Sequence, residues 1–243
     1  IDKSALSKAA KSECMRTDYG LKTIRRKNAT GYHYFIANLS SGDVSAMIPL
    51  SVPFKDATFF NPLNGDIADA NINGNSIMID LRSGESMILQ TFDAALPSTP
   101  AQEKPGSVNY NDILLEGPWT LSFIEEAPKV GKTYQLDKLR TWETLDEQTK
   151  VTMGTGVYTT KFKMSKKDEP KGAWLIDLGD VRESARVYIN GQYIGCAWSV
   201  PFVLDTKGAL KEGQNEVRIE VTNLPANRIS EMDRQGIRWR KME

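Results

Sequence analysis

Side chains that commonly carry catalysis are scarce in this sequence. Its 243 residues include one histidine, His33, and two cysteines, Cys14 and Cys196. Most acid–base, triad and zinc sites use imidazole, so each of these chemistries would have to pass through His33. His33 lies between Tyr32 and Tyr34 in a segment that alternates like a strand, which favours a structural role. The sequence therefore argues against a histidine-dependent enzyme.

The two cysteines do not form a recognisable metal or redox motif. Cys14 and Cys196 are far apart and neither belongs to a CxxC pattern. Two unpaired thiols packed as small hydrophobes are favoured, while a long-range disulfide stays open. No dense run of oxygen ligands such as DxDxDG is present, so we expect no cofactor and find no sequence support for a structural calcium.

Most of the chain alternates between apolar and polar residues with period two, which predicts antiparallel strands. Three Asn-Gly dipeptides, at 64–65, 73–74 and 190–191, predict tight hairpins. A short helix is expected over residues 4–15, and 135–150 is helical or irregular. The predicted strands cover residues 32–37, 76–81, 87–92, 119–123, 158–164, 174–178, 185–189 and 217–221. We therefore predict an all-β protein without parallel βαβ units.

A change in composition divides the chain. Residues 96–112 contain three prolines among small polar residues, which is typical of a linker. We predict two tandem β-sandwich domains: residues 1–104, with the short N-terminal helix, and residues 105–243, a jelly roll.

Charge and hydropathy exclude several partners. The 31 basic and 31 acidic side chains cancel, so no basic excess favours nucleic acid or an anionic membrane. No segment approaches the roughly 20 apolar residues of a membrane-spanning helix. We expect no nucleic-acid partner and no membrane insertion, and we interpret the cations of residues 228–241 as a solvated or domain-docking tail.

A series of phrases in the second half carries a family resemblance. Residues 117–123 (GPWTLSF), 154–162 (GTGVYTTKF), 185–195 (ARVYINGQYIG) and 221–228 (VTNLPANR) occur in order. Over about residues 115–230, their order and spacing resemble the galactose-binding-like jelly roll known as the sugar-binding domain of glycoside hydrolase family 2. The version most similar is the one appended to α-L-rhamnosidase-like enzymes of family 106.

The first half is similar, more weakly, to the β-sandwich that follows the catalytic barrel in those enzymes. The similar phrases lie at residues 23–26 (TIRR), 31–38 (GYHYFIAN) and 60–65 (FNPLNG). The resemblance implies the C-terminal portion of a secreted or periplasmic glycoside hydrolase. Its catalytic domain would lie upstream of Ile1, so no catalytic residue is carried over.

Acidic residues give little support for catalysis within this chain. Hydrolysis of a glycoside needs two carboxyl groups about 5 to 9.5 Å apart across the bond. Glu125, Glu126, Asp177, Asp180 and Glu183 are candidates, but their surroundings are typical of solvated turns. We expect the chain alone to be inactive.

Sugar binding has a clearer basis in the aromatic residues. A pyranose stacks its apolar face on an aromatic ring, while amides and guanidinium groups bond to its hydroxyls. Trp119 and Trp174 lie in apolar strands and are expected in the core, whereas Trp142, Trp198 and Trp239 lie in irregular segments and are freer to be exposed.

The predicted carbohydrate-binding residues all lie in the second half. They are Trp198, Tyr193, Asn223, Asn227 and Arg228. Packing against a neighbouring domain is an open alternative for these side chains. At the level of function, the alternatives are a stand-alone carbohydrate-binding or adhesion module without an enzymatic parent, and a purely structural fragment.

Overall fold

The structure is a computed structural model that describes residues 12–96, 113–165 and 174–240. The chain divides into two compact units, residues 1–108 and 109–243. The predicted domain boundary between residues 104 and 105 lies outside the described residues, as do residues 4–11 of the predicted N-terminal helix.

The first unit is built from antiparallel strands. A five-stranded sheet has the order β1-β2-β8-β4-β5, and a three-stranded sheet has the order β3-β7-β6. The elements are α1 (Met15–Tyr19), β1 (Lys22–Lys27), β2 (Gly31–Ala37), β3 (Val44–Pro49), β4 (Asp56–Phe60), β5 (Ile67–Asp69), β6 (Ile72–Asn73), β7 (Ser76–Leu81) and β8 (Ser86–Phe92).

Strand alternation determines the core of the first unit. Ile77, Ile79 and Leu81 share one face of β7 and are buried, as are Tyr34 and Ile36 of β2. These residues belong to a single apolar cluster that includes side chains from both sheets. The unit is therefore a β-sandwich, as the period-two pattern predicts.

A buried carboxylate fastens the segment before α1 to this core. Glu13 accepts hydrogen bonds from the Ser51 amide (2.8 Å), the Ser51 hydroxyl (2.7 Å) and the Tyr34 hydroxyl (3.1 Å), and it pairs with Arg25. Burial and the neighbouring Glu13 charge raise the pKa of Tyr34 well above its ordinary value. Glu13 therefore has its acceptors satisfied by the fold itself.

The second unit contains a larger antiparallel sheet of order β10-β9-β11-β16-β13-β14 and the separate pair β12-β15. Its strands are β9 (Trp119–Ala127), β10 (Tyr134–Leu136), β11 (Met153–Met164), β12 (Leu175–Asp177), β13 (Ser184–Ile189), β14 (Gln192–Ala197), β15 (Val203–Asp205) and β16 (Gly213–Thr222). Its helices are a 3-10 turn (Trp142–Thr144), α2 (Glu147–Lys150) and α3 (Ala226–Arg234).

The hairpin between β13 and β14 follows directly from its sequence. Asn190 and Gly191 both have positive φ, 51° and 81°, which is the conformation that a tight antiparallel turn requires. This turn sets β13 beside β14, with Tyr188 opposite Tyr193. The predicted all-β fold is confirmed.

Trp142 is buried, although its irregular segment left it freer to be exposed than the tryptophans of the strands. It donates a hydrogen bond from Nε1 to the Tyr158 hydroxyl (2.6 Å) and packs edge-on against Phe123 at 4.9 Å between ring centroids. Its ring lies against Gly156, where an added Cβ would come within 2.5 Å of the Trp142 Cζ2. The irregular segment is thus part of the core, and its sequence pattern could not show this.

The other described tryptophans differ in exposure. Trp119 is buried as predicted, whereas Trp174, which was predicted in the core, is only half-buried just before β12. Trp198 is exposed. Trp239 is half-buried and bonded to Asp233. The predicted tail, residues 228–241, begins inside α3 (Ala226–Arg234), a helix that the sequence did not predict.

Candidate functional site

The candidate site lies on the face of the six-stranded sheet that points away from the core. Ala185, Val187 and Ile189 of β13 face the core, so Arg186 and Tyr188 point to the opposite face. The same alternation in β16 places Arg218 and Glu220 on that outer face, between the core residues Val217, Ile219 and Val221.

Strand register brings these outer residues into two adjacent rows. Tyr188 lies opposite Tyr193 on one side and Arg218 on the other. Arg186 lies opposite Glu220 in the neighbouring row. We call these five residues the outer-face cluster.

The aromatic half of the outer-face cluster is a pair of tyrosines beside a cation. The rings of Tyr188 and Tyr193 are 5.3 Å apart between centroids and tilted by 54°. The Arg218 guanidinium carbon lies 5.0 Å from the centre of the Tyr188 ring, which is a cation–π distance. Tyr193 is 52% exposed whereas Tyr188 is half-buried, so the Tyr193 ring is the part of the pair that is open to a ligand.

The charged half is built around a buried carboxylate. Glu220 pairs with Arg218, and its Oε2 lies 4.0 Å from Nη1 of Arg186. The Glu220 side chain is 7% exposed, whereas those of Arg218 and Arg186 are 42% and 60% exposed. Two cations around one anion leave the cluster with one excess positive charge.

The structure separates two of the predicted site residues. Tyr193 lies near the start of β14 and belongs to the outer-face cluster, while Trp198 follows the last residue of β14 and is 58% exposed. An extended strand rises about 3.4 Å per residue, so positions five residues apart are separated by up to about 17 Å. They belong to opposite ends of the strand and do not share one ring-sized site.

The predicted polar residues have mostly structural partners. Asn223 accepts a hydrogen bond from the Gly154 amide (2.9 Å) and donates to the Thr152 carbonyl (3.1 Å), which ties the end of β16 to β11. Asn227, in α3, donates to Glu143 (2.8 Å). Arg228, also in α3, is half-buried. None of these contacts places Asn223, Asn227 or Arg228 beside Tyr193.

The sequence reading missed four members of the outer-face cluster: Arg186, Tyr188, Arg218 and Glu220. Alternation within β13 and β16 already places each of them away from the core. Their convergence depends on the pairing of β13 with β16, which are separated by more than twenty residues in sequence. Strand register across such a distance is decided by the fold.

The carboxyl groups with shifted pKa values do not suit a general acid. Lys132 and the Thr149 amide hold the pKa of Asp146 well below its usual range, because both stabilise the charged carboxylate at the start of α2. Arg182 lowers the pKa of Asp180 in the same way. A glycosidase acid needs a raised pKa, and these two groups have the opposite shift.

The described residues offer no metal centre. They contain no group of three or more His, Cys, Asp or Glu side chains that could hold an ion. Cys14 and Cys196 are both free, half-buried thiols. The helices in the described part of the chain are too short or too polar to cross a membrane.

A family comparison identifies most of the second unit. Residues 141–243 match the family described as glycosyl hydrolase 2 galactose-binding domain-like. This segment is similar to that family, and the match covers less than half of the chain. The outer-face cluster therefore lies on a fold of the glycoside hydrolase-related sugar-binding class, and the family 2 resemblance predicted from the sequence is confirmed.

Two longer proteins are similar to this chain. "Putative beta-glucuronidase" of Formosa agariphila is 35% identical over 119 residues, 48% of this chain and 10% of that protein. A rhamnosidase structure from Novosphingobium sp. PP1Y has 26% identity and a TM-score of 0.67, covering 91% of this chain and 21% of that one. The predicted rhamnosidase likeness is confirmed, and the chain spans about a tenth and about a fifth of these two proteins.

Proposed function

We propose that this chain is a non-catalytic accessory region of a multidomain, α-L-rhamnosidase-like glycoside hydrolase. Its second unit binds carbohydrate through the outer face of the sheet, and the region braces the upstream catalytic domain of the same polypeptide. The observation that carries the proposal is the galactose-binding-like match over residues 141–243. The likeness to a rhamnosidase over 91% of the chain supports the enzymatic parent.

The open aromatic surface supports carbohydrate as the ligand. Tyr193 and Tyr188 present neighbouring rings on which the apolar face of a sugar can stack, and Arg218 supplies donors beside them. A pyranose is bound by the combination of an apolar ring and directional polar groups at its edge, and the exposed Tyr193 ring beside Arg218 offers both. We propose that the glycoside hydrolase containing this chain is periplasmic or extracellular, where polymeric glycans are encountered.

The state of the acidic residues supports a non-catalytic role. Asp177 accepts a hydrogen bond from the Gly179 amide (2.8 Å), and Glu126 accepts one from Val130 (2.8 Å), so both carboxylates stabilise turns. Asp180 is engaged by Arg182. The chain assayed alone with aryl glycosides is expected to give no turnover. Turnover that disappears when one of its own carboxylates is substituted would overturn this part of the proposal.

Calorimetric titration of the whole chain with a panel of neutral and acidic oligosaccharides tests binding. Saturable binding is expected, and Tyr193→Ala should weaken it about tenfold, because loss of one stacking ring costs on the order of 1.4 kcal/mol. Trp198→Ala is the comparison variant at the other end of β14. If no glycan in the panel binds, carbohydrate binding is wrong.

A stand-alone adhesion module is the alternative. It shares the open aromatic surface but has no catalytic partner. The full open reading frame discriminates between the two, because a barrel with paired carboxylates supports the accessory role and a series of β modules or an anchor supports adhesion.

A further inference from the structure

Arg186 and Arg218 of the outer-face cluster remain exposed to solvent although both pair with Glu220. An arginine has five N–H donors. In the part of the chain that the structure describes, Arg186 reaches Glu220 only at 4.0 Å, at the outer limit of an ion pair. Arg218 is more tightly engaged, through Glu220 and the Tyr188 ring, yet stays 42% exposed. Donors of both guanidinium groups therefore remain available at the surface.

Glu220 explains how two arginines occupy one small area. Arg186 is directly opposite Glu220, and Arg218 is two residues away from Glu220 on the same strand and face. Arg186 and Arg218 are therefore diagonal neighbours, and such positions are about 7 Å apart in an antiparallel pair. The buried Glu220 carboxylate offsets the repulsion between the two guanidinium groups and attracts both of them. Glu220 therefore acts as a positioning residue for Arg186 and Arg218.

The donor set selects for ligand charge. A guanidinium group donates hydrogen bonds and accepts none, and its fork matches the two oxygens of a carboxylate. A neutral sugar would leave the excess positive charge of the cluster uncompensated. A sugar that carries a carboxylate would neutralise that charge while its ring stacks on the adjacent tyrosines.

We propose that the outer-face cluster recognises a uronate, a carboxylate-bearing sugar within a glycan, with Arg186 and Arg218 binding the carboxylate and Tyr193 with Tyr188 supporting the ring. This inference rests on the proposed function, because it names the ligand class of the same surface. It assigns a charge preference that the fold does not imply, because function depends on the residues of a site and not on the fold that carries them.

Calorimetry of the whole chain with matched acidic and neutral ligands tests the proposal. Oligogalacturonates and oligoglucuronates are compared with the same oligosaccharides after reduction of their carboxyl groups. A sulfated oligosaccharide that carries no carboxylate is the second comparison ligand. We expect reduction to weaken binding at least tenfold, and we expect affinity for the uronates to fall as salt rises. If the sulfated oligosaccharide without carboxylates binds as tightly as the uronate, carboxylate recognition is wrong.

Charge variants locate the effect. Arg186→Gln should weaken uronate binding about tenfold and leave the reduced ligand unchanged, and Arg218→Lys should weaken it less than Arg186→Gln because a cation is kept. Arg140→Gln, which removes an exposed arginine elsewhere in the second unit, is the matched control and should have no effect. Tryptophan fluorescence confirms folding of each variant, because all five tryptophans lie in the second unit.

The outcomes separate this inference from the proposed function. Equal binding of uronates and reduced glycans, or uronate binding unchanged by Arg186→Gln, overturns the inference and leaves carbohydrate binding standing. Binding that is lost in Trp198→Ala but kept in Tyr193→Ala also overturns it, because the ligand then sits on the loop. Absence of binding to every acidic and neutral glycan overturns both.

Discussion

Two buried glutamates, one in each unit, pair with arginine in contrasting surroundings. Glu13 is 5% exposed and is bonded to a backbone amide, two hydroxyls and Arg25, which is itself only 22% exposed. Glu220 is almost as buried, but both of its arginines are largely open to solvent. The first ion pair is enclosed by the fold, whereas the second presents its cations outward. An ion pair with open cations can serve recognition, whereas an enclosed one serves stability.

The largest effect is expected from Glu13→Ala. Removal of this carboxylate breaks a largely buried ion pair and takes a bonded acceptor from the Ser51 amide and the Tyr34 hydroxyl, so we expect the first unit to lose about 3–5 kcal/mol of unfolding free energy. Urea unfolding followed by far-UV circular dichroism measures the loss. Tryptophan fluorescence, which reports the second unit, should keep its midpoint.

Asp80→Ala is the control for Glu13→Ala, because Asp80 is exposed on β7. It should change the unfolding free energy by less than about 0.5 kcal/mol. A Glu13→Ala loss as small as this would show that the enclosed pair is not a structural element.

The next effect is a sensitivity of the first unit to alkali. Tyr34 has a raised pKa when folded, so the unfolded chain ionises first, from about pH 10 upward. The folded state then binds the extra proton, and stability that is complete below pH 10 falls as pH rises. Tyr34→Phe should flatten this slope in unfolding midpoints measured between pH 8 and 11.5. An unchanged slope in Tyr34→Phe would assign the alkali sensitivity to another group.

A smaller effect is expected from Glu220→Gln. Arg186 and Arg218 can each turn toward water when the carboxylate charge is removed, so the second unit should lose only about 1 kcal/mol. Tryptophan fluorescence in urea measures this directly. A loss as large as that of Glu13→Ala would erase the contrast between the two glutamates and make the outer arginines structural.

The smallest effect is expected on the outer face of the first unit. There the register aligns apolar side chains across the five-stranded sheet, without the charges of the outer-face cluster: Ile24, Phe35, Ile88, Phe60 and Ile67. Phe35 is partly exposed, so Phe35→Thr should change the free energy of unfolding by about 0.5 kcal/mol and leave glycan affinity unchanged. A loss of glycan affinity in Phe35→Thr would extend carbohydrate recognition to the first unit.

Local features were predictable because their causes lie within a few residues. The turn at Asn190 and Gly191 requires positive φ, and the buried face of β7 follows from alternation of Ile77, Ile79 and Leu81. The family resemblance also depends on order along the chain. The burial of Trp142 could not be predicted in this way, because its partners Phe123 and Tyr158 lie on distant strands.

The sequence by itself determined the all-β class, the hairpin at Asn190 and Gly191, the galactose-binding-like resemblance and the scarcity of imidazole chemistry. Tyr193 was also named from sequence, but its partners were not. Only the tertiary structure decided that Tyr188, Arg218, Glu220 and Arg186 surround one surface while Trp198 lies at the other end of β14. The physical reason is that alternation specifies the face to which a side chain points, while pairing between distant strands specifies its neighbours.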